Sequence, residues 1–91
     1  MTKKTECLLS WTPHAWADYL SWEKQPQKRK AINKLIKECM RTPFSGLGKP
    51  EPLKGSLTGF WSRRIDREHR LVYHYEEGHL TILQCRYHYE K

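Results

Sequence analysis

Four of the five glycines and three of the five prolines lie between Thr42 and Gly59. No helix survives that spacing, so the 91-residue chain is divided into two stretches that must be read with different periodicities. The segment itself reads as a long shaped loop with a short edge strand around Glu51–Lys54. Loops of that length inside a small domain usually serve function.

The stretch before it predicts a strand and two helices. Glu6–Trp11 alternates as a first strand, with Cys7, Leu9 and Trp11 on one face. Thr12-Pro13 then supplies a hydroxyl N-cap and a proline at the first helical position, where no amide hydrogen is missed. Trp16, Tyr19 and Leu20 give this helix an apolar stripe through about Glu23. A second helix opens at Pro26 and stops before Pro43. Its stripe is Ile32, Leu35, Ile36, Cys39 and Met40, and its outer face carries Lys28, Arg29, Lys30, Lys34, Lys37 and Arg41.

After the loop, three strands are expected at Phe60–Asp66, His69–Glu76 and His79–Tyr87. Asp66–Glu68 and Glu76-Glu77-Gly78 join them as hairpins. A strand, two helices and an antiparallel meander make an α+β domain with both helices packed on one face of the sheet. The length allows a single domain spanning 1–91, with 1–6 as a short N-terminal extension and 90–91 as a short tail.

Seventeen Lys+Arg against ten Asp+Glu leave +7 at pH 7, which favours a polyanion or an acidic protein as partner. No apolar run reaches the roughly 18 residues of a membrane span, and no secretory signal opens the sequence. Cys7, Cys39 and Cys85 fit no metal or disulfide spacing and read as buried free thiols in a reducing cytoplasm.

Side chains alternate across a strand, so parity sorts the sheet into two faces. Odd positions give Trp61, Ile65, Leu71, Tyr73, Tyr75, Leu83, Cys85 and Tyr87, a core face with Arg63 as the exception. Even positions give Ser62, Arg64, Arg70, His74, Gln84, Arg86 and His88, a polar and cationic face. That face is either a solvated surface or a phosphate-binding site; its arginines, with their planar fork, fit the second. His69, His74 and His79 lack acidic or thiol companions for a metal, and no Asp/Glu cluster serves magnesium. No cofactor is expected. Metal-free phosphodiester chemistry is open to RNA, whose 2′-OH attacks its own phosphate when a base, an acid and cations are supplied. The candidates are Glu51 as base, His88 as acid and Arg64 and Arg70 as clamps, with Tyr89 as a further proton-bearing or stacking group. Neighbouring cations lower the basicity of Glu51, which its placement must offset.

Five runs then stand out in register: Arg41-Thr42-Pro43-Phe44, Gly48–Lys54, Gly59–Ile65, Glu68–Tyr73 and Cys85-Arg86-Tyr87-His88-Tyr89. Together, from about Leu8 to Tyr89, they resemble the YoeB toxins of the RelE/ParE superfamily of bacterial toxin–antitoxin systems. The resemblance implies a RelE-like, microbial-ribonuclease-like fold and a ribosome-dependent endoribonuclease that cleaves messenger RNA in the A site. It implies Glu51 as general base, His88 as general acid and Arg70 as transition-state stabiliser. Arg64 and Lys54 would contact phosphate, and Tyr89 would orient substrate or leaving group. It also implies an acidic YefM/Phd-type antitoxin, operator DNA bound only through the toxin–antitoxin complex, a homodimer, and the 70S ribosome as platform. Parity places Tyr89 on the core side of a straight strand, so its role requires the strand to twist or end before it. Two other functions fit the charge alone: a ParE-like toxin that binds a topoisomerase without acid–base chemistry, and a non-catalytic nucleic-acid-binding module.

Overall fold

A computed structural model describes residues 7–88. The expected 1–6 extension, Tyr89 and the 90–91 tail lie outside the described residues. The elements are β1 (Leu8–Trp11), α1 (Pro13–Ser21), α2 (Pro26–Arg41), β2 (Glu51–Pro52), β3 (Trp61–Arg64), β4 (Arg70–Glu76) and β5 (His79–Gln84), with a 3-10 turn at Gly55–Leu57. The sheet runs β1-β5-β4-β3-β2. The expected α+β order holds, and β2 is the short edge strand within the glycine/proline loop. The sheet is mixed, because β1 pairs parallel with β5 while the remaining pairs are antiparallel.

Local chemistry accounts for the element ends. The Thr12 hydroxyl accepts from the Ala15 amide at 3.0 Å, so the N-cap reading of Thr12-Pro13 is correct. The β4–β5 connection places Glu77 and Gly78 at φ 46 and 79, the two positive values a two-residue hairpin of type I′ requires. At the other hairpin Asp66 Oδ1 accepts from the amides of Glu68 (2.8 Å) and His69 (2.7 Å), which turns the chain into β4.

The core joins both helices to one face of the sheet. Ala15, Trp22, Ile32, Leu35, Ile36 and Cys39 pack with Leu71, Tyr73, Leu80, Ile82 and Cys85. The α2 stripe is as expected. The α1 stripe holds in part: Tyr19 packs against the core, but Trp16 and Leu20 are each 47% exposed, and Ala15 and Trp22 turn inward. Trp16 stacks on Tyr19 and meets Trp11 edge-on, forming an aromatic cluster with ring centroids 4.9–5.6 Å apart that runs from the core edge to the surface. On α2, Lys28 pairs with Asp66 at 2.7 Å, Arg41 pairs with Glu38 at 2.9 Å and Arg29 lies over the Tyr19 ring, which leaves Lys30, Lys34 and Lys37 as the exposed basic face.

Strict parity fails on β5. Tyr73 faces Ile82 and Val72 faces Gln84, so Leu83 is an extra residue on the β5 side, a bulge. The two-residue turn pairs Glu76 with His79, so Leu80 and Ile82 lie opposite Tyr75 and Tyr73 and fill the core, and Cys85 returns to it after the bulge. Tyr87, expected in the core, is exposed because the strand has ended at Gln84. The Thr12 hydroxyl donates to the Leu83 carbonyl at 3.1 Å, so the bulge leaves that acceptor satisfied. The cysteines are free, with Cys39 and Cys85 buried and Cys7 half-buried. Burial pushes the Cys39 thiol up to about 11 and the Cys85 thiol to about 12, away from reactive thiolate. Among the described residues no helix is long and apolar enough to cross a membrane.

Candidate active site

Strand register places Glu51, Arg64 and Arg70 on one face. Glu51 faces Ser62, Ser62 faces Val72 and Val72 faces Gln84, a row crossing β2, β3, β4 and β5. Arg64 and Arg70 face each other in the next row. Ser62 and Val72 are buried and form the floor, while Glu51 and Arg64 are exposed and Arg70 is half-buried. At roughly 4.8 Å between strands, the row is about 14 Å wide at the backbone, a span that long side chains can close on a phosphodiester. Lys54 is exposed just past the β2 end of the row.

His88 reaches the opposite end through an anchored turn. The Arg70 amide donates to the Tyr87 carbonyl (3.1 Å), and the Tyr87 amide donates to His69 Nδ1 (2.6 Å). The Gln84 side-chain amide donates to the carbonyls of Arg86, Tyr87 and His88 at 3.1–3.4 Å. From α1, Asp18 accepts the Cys85 amide (3.0 Å) and the Trp22 indole donates to the Cys85 carbonyl (2.9 Å). Tyr87 takes a positive φ of 63, which turns the segment away from strand geometry. The strand thus ends before position 89, as a role for Tyr89 required, but Tyr89 itself is not among the described residues. Arg86, grouped with the cationic face by parity, is turned aside: it lies 4.1 Å over the Trp22 ring and donates to Ser21.

Arg70 is held by the β3–β4 turn. Its Nη1 donates to the carbonyls of Asp66 (2.9 Å) and His69 (3.2 Å), so one corner of the guanidinium is fixed by the β3–β4 turn. Burial raises the Asp66 carboxyl, but the Lys28 pair and the His69 and Glu68 amides outweigh it and bring the group down to about 2. A folded value below the ordinary 3.8 adds stability above about pH 4 that is lost as the pH falls toward 2. Asp66→Asn should therefore flatten the acid dependence of melting between pH 5 and 2, and an unchanged slope would contradict this role for the carboxylate.

Arg63, the odd-parity exception, is a structural residue. It is fully buried; Nε donates to the Tyr73 hydroxyl (3.1 Å), Nη1 to the Leu47 carbonyl (2.9 Å) and Nη2 to the carbonyls of Thr42 and Ser45. The Tyr73 hydroxyl in turn donates to the Pro43 carbonyl (2.7 Å). The glycine/proline loop is thereby tied to β3 and β4. Gly48 sits at φ +83, its carbonyl accepts from the Arg64 amide, and a Cβ there would lie 2.8 Å from Leu35. This close approach delivers the chain to Glu51. Three residues that sequence reasoning left without a site role, His69, Gln84 and Arg63, thus hold the loop and the terminal turn. For His69 and Arg63 the available signal was a polar residue at a core-parity position, which must find partners; Gln84, on the polar face, gave none.

Among the described residues no group of three or more His, Cys, Asp or Glu side chains is disposed to hold a metal ion.

Comparison with known proteins assigns the family. Residues 11–89 match the YoeB-like toxin of bacterial type II toxin-antitoxin system. The chain is 56% identical over 82 residues to toxin YoeB of Escherichia coli K12, covering 89% of this chain and 98% of that one. A YoeB/ParE toxin structure from Agrobacterium tumefaciens superposes with TM-score 0.86 at 50% identity, covering 90% and 99% of the two chains. The structure of the YoeB dimer from Staphylococcus aureus gives 0.83 at 43%, covering 92% and 99%; that protein is also known in a YoeB-YefM complex. With the match running from the first strand through the terminal turn, the chain belongs to the YoeB family of toxins of type II toxin–antitoxin systems.

Proposed function

We propose that this toxin is a metal-independent endoribonuclease that cleaves messenger RNA in the ribosomal A site and so stops translation. The observation that carries the reading is the single sheet face shared by Glu51, Arg64 and Arg70, with the turn bearing His88 bonded to the Arg70 backbone. In this reading Glu51 removes the ribose 2′-OH proton as the 2′-oxygen bonds to the adjacent phosphorus. His88 protonates the departing 5′-oxygen as its P–O bond breaks. Arg70 holds the charge that builds on the phosphorane, Arg64 and Lys54 position the phosphate, and Tyr89 orients the leaving group.

The +7 chain suits a ribosomal platform, and an acidic antitoxin of the YefM/Phd type is its natural inhibitor. The Staphylococcus aureus relatives support an antitoxin partner and a homodimer for this protein too. Operator DNA would then be bound only through the antitoxin complex.

The test is a synthetic message presented with and without 70S ribosomes, in excess EDTA under conditions that keep the ribosome intact. Cleavage only with ribosomes, abolished by the antitoxin, is the expected result. Inhibition of supercoiling with no cleavage would assign the ParE-like function, and ribosome binding without turnover would leave a non-catalytic binder.

A further inference from the structure

One buried titratable side chain has a geometry that exceeds a packing role. His69 is 8% exposed, its ring packs edge-on against Trp22 with centroids 4.8 Å apart, and it lies 5.4 Å from the Tyr87 ring. A backbone amide can only donate, so the 2.6 Å contact from Tyr87 requires His69 Nδ1 to be unprotonated. The ring proton then belongs on Nε2, which faces Glu68 Oε1 at 3.7 Å. The His69 amide is held separately by Asp66, and its carbonyl accepts from Arg70 Nη1 and from the amides of Ile65 and Asp66.

One residue therefore touches both halves of the site. Its backbone anchors the Arg70 guanidinium, and its ring anchors the turn that ends in His88. We infer that His69, as the Nε2-H tautomer, is a positioning residue that sets the acid-bearing terminal turn against Arg70 through the Tyr87 amide. This rests on the ribonuclease reading for its effect on rate, while the anchoring itself is independent of it. The hydrogen bond does what the strand ladder no longer can, because β5 has stopped at Gln84 and Tyr87 stands at positive φ.

Two substitutions separate the acceptor from the packing. His69→Phe keeps an aromatic ring against Trp22 and Tyr87 but removes the acceptor. His69→Asn keeps an acceptor near the Nδ1 position and gives up the ring. On saturated ribosomes, His69→Phe should lower the single-turnover cleavage rate by roughly 10²-fold, the penalty typical of a misplaced catalytic group, with ribosome affinity unchanged. His69→Asn should recover most of that loss. Equal impairment of both variants, or wild-type cleavage by His69→Phe, would overturn the inference. Nitrogen NMR of the wild-type toxin reads the anchor with no ribosome present. An unprotonated Nδ1 on His69 and a slowly exchanging Tyr87 amide are expected; a protonated Nδ1 would overturn the inference even if His69→Phe failed to fold. Should the wild type prove not to cleave at all, the ribonuclease reading would fall while the NMR result still decided the role of His69.

Discussion

Arg70→Ala should cost this toxin at least as much of its cleavage rate as losing either proton-transfer group. Glu51→Ala and His88→Ala are each expected to slow the chemical step by roughly 10²–10⁴-fold, the usual contribution of general acid–base assistance. Arg70 stands between them with its Nη1 fixed to the carbonyls of Asp66 and His69, so its charge needs no reorganisation as the phosphorane forms. Arg64 faces it from β3 but is exposed, and screened charge at the rim is a poor replacement. Lys54→Ala should do less harm, weakening phosphate contact more than chemistry. The measurement is single-turnover cleavage on saturated ribosomes. If the three alanine variants react at the wild-type rate once bound, the residues are positioning groups and the assigned chemistry is wrong.

The second large effect is on stability. Arg63→Ala removes a buried guanidinium that serves the Thr42, Ser45 and Leu47 carbonyls and the Tyr73 hydroxyl. Those acceptors would be left in the interior beside a cavity, at a cost of about 3–5 kcal/mol. Domains of this size hold only about 5–15 kcal/mol in total. At about 4–8 °C per kcal/mol, melting should fall by more than about 12 °C. Tyr73→Phe removes one hydroxyl from the same network and should cost less. A melting temperature for Arg63→Ala within a few degrees of wild type would show that the loop is held by something else.

The contrast between Arg63 and Arg64 shows what the sequence can and cannot disclose. They are adjacent and chemically identical, yet one is fully buried and the other exposed. Parity separated them correctly, because β3 and the first part of β4 are straight and their alternation survives folding. The same rule placed Arg70 on the polar face, whereas Glu51, an odd position in the loop, joins that face only through its pairing with Ser62. It failed on β5, where no glycine or proline marks the Leu83 bulge and only the register with β4 reveals it. Tyr87 and Arg86 were misplaced because the strand ends at Gln84 and the chain turns there. Helix α2 was legible because its stripe is long and uniform. Helix α1 was legible at its cap and at Tyr19 but not at Trp16 and Leu20, which stay exposed while Ala15 and Trp22 meet the sheet. The tether from His69 to the Tyr87 amide joins positions 18 residues apart, and no spacing rule reports such a contact.

The most direct test of the central claim follows the nucleophile. A message with a single 2′-deoxy nucleotide at the cleaved position, programmed into the A site, should bind but stay intact, since the attacking oxygen is gone. The all-ribose message should yield a 2′,3′-cyclic phosphate or 3′-phosphate and a 5′-hydroxyl. Cleavage of the deoxy message, or ribose products ending in a 3′-hydroxyl, would contradict the account and require a different nucleophile at this site.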